Sequence, residues 1–371
     1  MTQPVIQASA AARVNIIGEH TDYNGGYVLP TNTAIFTRVT ASPRDDRVLK
    51  VRSSTMDETQ SFLLDELQPG ESGSWIEYVK GVAAELQHAG VTLCGAELLI
   101  DSEIPLGAGL SSSASLELSV GKALLGVAGE TIDAAALALL CQKAEHNYAG
   151  VQCGIMDQYS LACAQFGNAL LLDCRSLQTR QVRLPSNIGF ILTDSGVRHS
   201  LTDGEYNNRS EECATAVALL AESLPGVESL RDVGAADLEQ NRATLSDVLY
   251  RRCRHVVTEI QRVAETVAAL EDKDLQKVGA LLNACHASLR DDYAVSCGEL
   301  DALVECANSS DLILGSRMLG AGFGGCVLSV CRSEDAVAAA AYIQASYAAV
   351  SGSRPWQHLV TPAHPARVTD A

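Results

Sequence analysis

The sequence is poor in basic residues. It contains 27 Lys and Arg against 45 Asp and Glu, which gives a formal net charge of −18 at pH 7. Nucleic-acid binding depends on Lys and Arg that neutralise phosphates, so this balance argues against a nucleic-acid partner and against an anionic membrane surface. An anionic small molecule is not excluded, because backbone N–H groups and a divalent cation can hold phosphates without basic side chains.

Long apolar runs are also absent. No segment approaches the ~20 apolar residues of a membrane-spanning helix. The N-terminal stretch MTQPVIQASAAARVN lacks the basic start and the apolar core of a secretory signal. The twelve cysteines form no Cys-x-x-Cys pair, and in a chain of this kind they indicate reduced cytosolic thiols. We therefore expect a cytoplasmic protein with no membrane partner.

The length of the chain, 371 residues, predicts two domains. A polar segment that ends in proline, 175–187, suggests the boundary, and we assign residues 1–180 and 181–371 to an N-terminal and a C-terminal domain. Strand-like and helix-like patterns are mixed without regular βαβ alternation, which predicts an α+β fold. The pattern further predicts helices at 112–125, 133–148 and 333–348, a mostly helical stretch over 203–308, and a frayed tail over 361–371.

A glycine- and serine-rich segment, PLGAGLSSSASLELSV (105–120), leads into one of these helices. It lacks the lysine of a Walker A loop, and the whole chain has only six lysines. Gly107 and Gly109 allow the backbone to approach a ligand closely. The amides of residues 109–113 are free at the start of the helix and carry partial positive charge. The segment therefore predicts a lysine-free polyphosphate site, with an ordinary Ser-capped helix as the alternative.

A second glycine cluster, LGAGFGGC, contains the spacing Gly-x-Gly-x-x-Gly at Gly320, Gly322 and Gly325. A dinucleotide fingerprint has to open a helix, whereas the following CVLSVC predicts a strand. A protein-kinase glycine loop needs a strand lysine and His-Arg-Asp and Asp-Phe-Gly motifs downstream, and none of these follows. The cluster therefore indicates neither of these two nucleotide sites.

Polar side chains crowd the segment RVNIIGEHTDYNGG, where a predicted strand meets a glycine turn. Eleven residues hold six of them: Arg13, Asn15, Glu19, His20, Asp22 and Tyr23. Short donors and acceptors at a strand end suit a polyol, whose hydroxyl groups each need a donor and an acceptor. The spacing matches no standard metal site, and a solvated turn is the alternative.

Two acidic residues mark the segment CQKAEHNYAGVQCGIMDQ. Glu145 stands late in an otherwise apolar helix, and Asp157 starts the next helical stretch. The dipole at a helix N-terminus favours an ionised carboxylate, and such a group can orient or deprotonate a sugar hydroxyl. A helix cap or a surface charge is the alternative for each residue.

In their order along the chain, four segments resemble the motifs of the galactokinases, a family of GHMP small-molecule kinases. They are RVNIIGEHTDYNGGYVLP, PLGAGLSSSASLE, CQKAEHNYAGVQCGIMDQ and LGAGFGGC, and the resemblance extends over nearly the whole chain. It implies an α+β fold with an N-terminal mixed-sheet ATP-binding domain, a C-terminal α+β domain and the active site in the cleft between them. It also implies phosphorylation of D-galactose at the C1 hydroxyl, with ATP and Mg²⁺.

The resemblance implies roles for individual residues as well. Asp157 should act on the C1 hydroxyl, Arg13 should stabilise the transferring charge, and the LGAGFGGC segment should line the cleft without gripping phosphates. Mg²⁺ should be ligated by Ser113 and Glu145. The sugar should be contacted by Glu19, His20, Thr21, Asp22, Gly154, Asp157 and Tyr206. The ATP phosphates should be wrapped by Gly107, Ala108, Gly109, Leu110, Ser111, Ser112 and Ser113.

One departure from the family pattern concerns the placement of Arg13. Galactokinases usually carry Pro-Gly before this arginine, whereas Ala11 and Ala12 stand there in this sequence. Proline fixes φ and glycine permits positive φ, so we expect the backbone to reach Arg13 by a different path.

The sequence leaves the sugar and the assembly open. N-acetylgalactosamine or galacturonate would need room at C2 or a cation near C6, and neither is settled by sequence. A non-catalytic sugar sensor should lose part of the ATP loop or the acidic residues, but Ser113, Glu145 and Asp157 are all retained. We expect small-molecule substrates and a monomer or weak homo-oligomer.

Overall fold

A computed structural model describes residues 4–71, 73–197 and 202–369, apart from the side chains of 202–206. The strands in these ranges are β1 (Ile6–Asn15), β2 (Tyr27–Val28), β3 (Pro30–Pro43), β4 (Val48–Ser53), β5 (Glu58–Leu63), β6 (Ala96–Ser102), β7 (Asn168–Asp173), β8 (Thr179–Arg183), β9 (Ile188–Asp194), β10 (Ile313–Met318), β11 (Cys326–Arg332), β12 (Gln357–Leu359) and β13 (Arg367–Thr369).

The helices in the same ranges are α1 (Trp75–His88), α2 (Ser112–Ala128), α3 (Ala134–Ala144), α4 (Met156–Cys163), α5 (Thr202–Ala221), α6 (Ala235–Gln240), α7 (Asp247–Glu271), α8 (Leu275–Ser288), α9 (Gly298–Asn308) and α10 (Ala336–Ser351). Two π-helical turns, Glu145–Ala149 and Leu289–Tyr293, extend α3 and α8. None of the helices in the described ranges combines the length and the hydropathy that crossing a bilayer requires.

The strands form two sheets. The larger has nine strands in the order β13-β1-β3-β6-β4-β5, with β7 pairing with β2, β3 and β8. Its pairs are antiparallel except for β4 with β6. The smaller sheet has four antiparallel strands in the order β10-β11-β9-β12. A sheet built mainly from antiparallel pairs needs no crossover helices, which is why the sequence shows no βαβ alternation; the α+β prediction is confirmed.

Strand β1 positions the glycine–serine loop. Its sequence, IQASAAARVN, is rich in small side chains, so α2 packs closely along β1 and β3. The Ser115 hydroxyl donates to the backbone carbonyl of Ala10 at 2.9 Å, and the Arg13 amide donates to the carbonyl of Leu110 at 3.4 Å. These contacts bring the loop that precedes α2 beside the carboxyl end of β1.

Two hydrophobic cores meet at β1. One core lies between the larger sheet and α1–α4 and includes Ala10 and Ala11, whereas the other joins Ala12 and Val14 to the smaller sheet and the helices from α5 onward. The register of β1 against β3 shifts between Ala11 and Ala12, where the sequence departs from the family pattern. The polar end of β1 therefore emerges between the two halves of the chain.

The predicted helices at 112–125, 133–148 and 333–348 are confirmed as α2, α3 with its π-helical turn, and α10. The predicted fraying of the tail is wrong, because Pro362 bridges to Thr33 and β13 pairs with β1. An uncovered β1 would be an open edge of unpaired backbone groups, which the short tail strand covers. The predicted boundary at 180/181 falls inside β8, and the smaller sheet begins at Ile188; the two-domain division stays a prediction.

Candidate active site

A cavity of about 730 Å³ opens between the two halves of the chain. Its wall includes the turn after β1, the loop before α2, the start of α4 and the glycine turn between β10 and β11. The residues of these four segments that line it include Arg13, Glu19, His20, Asp22, Gly107, Gly109, Ser113, Gly154, Asp157 and the run Gly320–Gly325. Segments far apart in sequence thus converge on one concave site, as expected of a small-molecule site.

A bidentate ion pair lies on the wall of this cavity. Arg13 Nε and one of its terminal nitrogens donate to the two oxygens of Asp157, each at 2.8 Å. The other terminal nitrogen donates to the Gly109 carbonyl at 2.6 Å. Arg13 is buried, whereas the Asp157 side chain stays 27% exposed toward the cavity. The planar guanidinium therefore fixes a carboxylate that a ligand can still reach, and Ala11 and Ala12 do not prevent this placement.

Glu19 is held by protein partners at both of its carboxylate oxygens. Asn15 Nδ2 donates to Oε2 at 3.0 Å, and Oε1 accepts from Arg317 at 2.9 Å and from the Gly320 amide at 3.0 Å. Arg317 is fully buried and also donates to the carbonyls of Asn15, Ile16 and Met318. Glu19 therefore ties the end of β1 to the glycine turn, besides lining the cavity.

His20 stands on strained backbone next to a chain of hydroxyl groups. Its φ is +64°, in the left-handed region that residues other than glycine rarely adopt. Its Nδ1 lies 2.9 Å from the Tyr23 hydroxyl, which lies 2.7 Å from that of Tyr293. Burial lowers the pKa of His20 to about 3, with the positive charges of His255 and Arg209 acting in the same direction. The ring is therefore neutral at pH 7.

Asp22 and Gly154 fit together. A Cβ added to Gly154 would lie 1.8 Å from an Asp22 carboxylate oxygen, so only glycine leaves room for this carboxyl group. Burial raises the pKa of Asp22 to about 7, and the negative charge of Asp157 contributes. The site thus brings two carboxyl groups close enough to disfavour ionisation of one of them.

The loop before α2 has the backbone expected of an anion site. Gly107, Gly109 and Ser111 have φ of +66°, +74° and +61°. These left-handed residues turn the chain sharply into α2, whose first N–H groups have no intrahelical partner. The hydroxyl of Ser111 is buried and has no partner within the described residues. Positive φ at a serine indicates a backbone conformation imposed by its surroundings, which is a common feature of ligand sites.

The second glycine cluster packs against this loop. A Cβ on Gly320 would lie 3.3 Å from the Gly109 Cα, and one on Gly325 would lie 3.4 Å from the Ala108 carbonyl. Gly322 has φ of +93°, and an added Cβ would lie 2.2 Å from the carbonyl of Val295. The cluster therefore supports the first loop by backbone packing and lines the cavity from the other half of the chain.

Glu145 lies behind the cavity wall, in the π-helical turn after α3. Its Oε2 accepts from Gln158 Nε2 at 2.6 Å and from the Cys153 thiol at 3.3 Å, and the Ser113 hydroxyl lies close enough to act on the pKa of Glu145 in the lowering direction. Burial raises the pKa of Glu145 to about 7. Within the described residues no three His, Cys, Asp or Glu side chains form a metal-binding group. One hydroxyl and one carboxylate suit Mg²⁺, which takes few protein ligands beside phosphate and water oxygens.

The structure brings most of the predicted site residues to the cavity wall, with Glu145 behind it and three other exceptions. Thr21 is buried and its hydroxyl faces the carbonyls of Gly18 and Tyr27 at 2.9 and 2.7 Å, so it holds the turn. Ala108 is buried behind the loop. The side chain of Tyr206, in α5, lies outside the described residues.

Sequence reasoning missed the buried residues that hold the site in place. Arg317 anchors Glu19, and Glu117 contacts Glu145 through Gln158. A signal was present for two of them: Arg317 interrupts the apolar strand LILGSRML, and Glu117 interrupts the apolar helix SASLELSV. A charged residue in an apolar element has to find a partner.

Family profiles match three parts of the chain. Residues 77–165 match the profile described as GHMP kinases N terminal domain, and residues 266–349 match GHMP kinases C terminal. Residues 2–43 match the galactokinase galactose-binding signature. The fold and the site therefore define a kinase of the GHMP class.

Two curated relatives show where in that class the chain falls. It is 43% identical over 357 residues to the galactokinase of Chloroflexus aggregans. The alignment covers 96% of this chain and 91% of the relative. It is 42% identical over 354 residues to the human galactokinase. This alignment covers 93% of this chain and 88% of the human protein. The chain belongs to the galactokinase family, and it is a sugar kinase.

Solved structures agree in fold. The Lactococcus lactis galactokinase complexed with galactose superimposes with a TM-score of 0.94 at 35% identity, over 99% of this chain and 96% of that one. A mevalonate kinase superimposes with a TM-score of 0.67 at 17% identity, over 100% of both chains; this second likeness concerns the fold alone.

Proposed function

We propose that this protein transfers the terminal phosphoryl group of ATP to the C1 hydroxyl of D-galactose, with Mg²⁺ as its metal. The observation that carries the proposal is the Arg13–Asp157 pair, two bonds of 2.8 Å on the cavity wall. Arg13 also bonds the carbonyl of Gly109 in the glycine–serine loop. The pair therefore links a sugar-facing carboxylate directly to the loop that suits phosphates.

The sugar end of the cavity offers mixed donors and acceptors. Neutral His20 can donate and accept, and Asp22 and Asp157 supply carboxyl oxygens. A site built to hydrogen-bond sugar hydroxyls discriminates against analogues that lack them, because its buried polar groups would then be unpaired. The relatives named galactokinase and the matched galactose-binding signature favour D-galactose as the sugar.

The phosphate end relies on the backbone. Amides at the start of α2 carry the positive end of the helix dipole, so they can hold the phosphates of ATP without a lysine. Gly107 and Gly109 allow close approach, and Arg13 adds a full positive charge beside them. These groups give local positive potential in a chain whose net charge is −18.

The reaction needs little covalent help from the protein. The C1 oxygen of the sugar attacks the γ-phosphorus, the bond to the β–γ bridging oxygen breaks, and the hydroxyl proton leaves the sugar oxygen. Asp157 is the carboxylate positioned to orient this hydroxyl and accept its proton, while Arg13 stabilises the charge of the transferring group. Whether the proton moves early or late does not change this assignment of roles.

Ser113 and Glu145 would hold the metal. Their oxygen atoms suit a hard cation, and the raised pKa of Glu145, about 7, results first from burial. Bound Mg²⁺ supplies neutralisation of phosphate charge. The protein's own task is to hold Glu145 in a fixed orientation beside the start of α2.

An ADP-release assay with galactose, N-acetylgalactosamine and galacturonate tests the proposal. We expect sugar-dependent ADP release that is highest with galactose and is abolished by chelation of divalent cations. If galactose were the poorest of the three sugars, the assignment of galactose as the substrate would be overturned. Sugar binding without any ADP release would indicate a sensor. The cytoplasmic location and the monomeric or weakly self-associating state stay predictions.

A further inference from the structure

One buried carboxyl group near the cavity has no part in the reaction described above. Glu117 is fully buried in α2, one helical turn after Ser113. Residues four apart share a helix face, so Glu117 lies on the face that carries Ser113. Gln158 Nε2, from α4, donates to Glu117 Oε2 at 3.0 Å.

Gln158 joins this carboxyl group to Glu145. The same nitrogen donates to Glu145 Oε2 at 2.6 Å, so both N–H groups of the primary amide are used. The flipped amide would place its oxygen against two carboxyl groups, and it would lose both bonds. The hydrogen-bond network therefore fixes the orientation of Gln158.

Two acceptor atoms of this arrangement lack a donor. Glu117 Oε1 and Gln158 Oε1 are both buried and have no hydrogen-bond partner within the described residues. These two oxygens belong to the Glu117 carboxyl group and the Gln158 amide, which the Gln158 N–H already joins. If Glu117 carries a proton, its O–H can donate to the amide oxygen while the amide N–H donates to its other oxygen. A single proton thus satisfies both atoms and forms a ring of two hydrogen bonds.

The surroundings of Glu117 also favour the un-ionised form. Burial raises its pKa well above the usual range, and the negative charges of Glu145 and Asp157 act in the same direction. The Gln158 hydrogen bond opposes this shift but does not offset the loss of hydration.

We propose that Glu117 is a positioning residue: as an un-ionised carboxylic acid it closes a two-bond ring with the Gln158 amide, and it thereby fixes the N–H group that holds Glu145 in place. The proposal rests on the proposed function, because it takes Glu145 to be a metal ligand. Groups that orient metal ligands in this way commonly change metal affinity when they are replaced.

Three substitutions separate this role from a merely structural one. Glu117→Gln keeps the ring, because its amide N–H replaces the acid O–H as donor to Gln158. Glu117→Leu has a similar size and removes both bonds. Ser119→Ala is the matched control in the same helix, since among the described residues the buried Ser119 hydroxyl bonds only the α2 carbonyls of Ser115 and Leu116.

Binding of Mn²⁺ in the presence of ADP, followed by electron paramagnetic resonance, is the first measurement. We expect Glu117→Leu to weaken Mn²⁺ binding by about 10–100-fold, whereas Glu117→Gln and Ser119→Ala bind like the parent. Parent-like binding by Glu117→Leu overturns the proposal. A loss in Glu117→Gln as large as that in Glu117→Leu also overturns it, because an ionised carboxylate would then be required.

Infrared difference spectroscopy of the parent against Glu117→Gln is the second measurement, and it does not require Glu117→Leu to fold. We expect the carbonyl band of an un-ionised carboxylic acid in the parent at pH 7, and the absence of this band overturns the proposed ring.

The proposed metal site and the proposed positioning role of Glu117 fail in different ways. A parent protein without Mn²⁺ binding overturns the metal site and the positioning role but leaves the infrared band, whereas parent-like binding by Glu117→Leu overturns the positioning role alone.

Discussion

The two ends of the cavity are built by different means. At the proposed sugar end, side chains are held by other side chains: Arg317 and Asn15 fix Glu19, and Arg13 fixes Asp157. At the proposed phosphate end, the wall is mostly backbone, shaped by left-handed residues such as Gly109 and packed against a second glycine turn.

The difference matches what each end is proposed to bind. A sugar presents hydroxyl groups in fixed directions, so the groups that recognise it have to be oriented in advance. A polyphosphate presents many equivalent oxygens, so closely spaced amides and a helix dipole are sufficient. Changes at the sugar end should therefore act through side-chain geometry, and changes at the phosphate end through the backbone.

The largest effect is expected at the point where the two ends meet. Asp157→Asn keeps the size of the side chain but removes the proton acceptor, so kcat should fall by about 10²–10⁴. Affinities for nucleotide and galactose, measured by calorimetry, should change far less. The matched control is Glu103→Gln, which removes an exposed arginine–carboxylate pair with Arg38 and should leave kcat unchanged. An equal loss of binding and turnover would assign Asp157 to affinity rather than to the reaction.

The next effect tests whether the sugar end depends on its buried ion pair. Arg317→Met leaves Glu19 as an unpaired buried charge, so unfolding free energy should decrease by about 3–5 kcal/mol, as measured in urea. The double variant with Glu19→Gln should recover part of the loss, because the uncompensated charge is then removed. A decrease of less than about 1 kcal/mol, the range of exposed pairs, would contradict the anchoring role.

A pair of glycine substitutions separates the two ends directly. Gly154→Ala places a Cβ 1.8 Å from the Asp22 carboxylate, so the KM for galactose should rise by roughly ten- to a hundredfold with little change for ATP. Gly109→Ala meets only ordinary contacts but keeps φ of +74°, so strain of about 1–2 kcal/mol should weaken nucleotide binding up to about tenfold. If both variants affected both substrates equally, the two ends would not be independent.

The smallest effect is a pH dependence of stability without ligand. The pKa of Asp22 is raised from 3.8 to about 7, so between these values the folded chain binds a proton that the unfolded chain does not. This contribution to stability is present at low pH and is lost as pH rises toward 7. Asp22→Asn should therefore raise Tm by about 2–4 °C at pH 8 and by clearly less at pH 5, and the variant should match the parent only below the unfolded pKa of 3.8. Exposed Asp45 supplies the control, because Asp45→Asn should show no such difference between the two pH values.

Local patterns were sufficient for much of the fold. Helices α2, α3 and α10 were predicted from local sequence patterns, and the absence of βαβ alternation predicted the α+β class. The tail was misjudged because Arg367–Thr369 is short and polar, and its strand forms only because β1 offers an open edge. Strand pairing between distant segments has no local signature.

By itself, the sequence determined the chemical groups of the site, since glycine, serine, histidine and carboxylate residues each allow a limited set of interactions. Only the tertiary structure decided which of them work together. It placed Asp157 against Arg13, 144 residues away, and it joined Glu19 to Arg317, 298 residues away. Burial then set the charge states, because the pKa of Asp22 and that of His20 depend on surroundings that the folded chain alone creates.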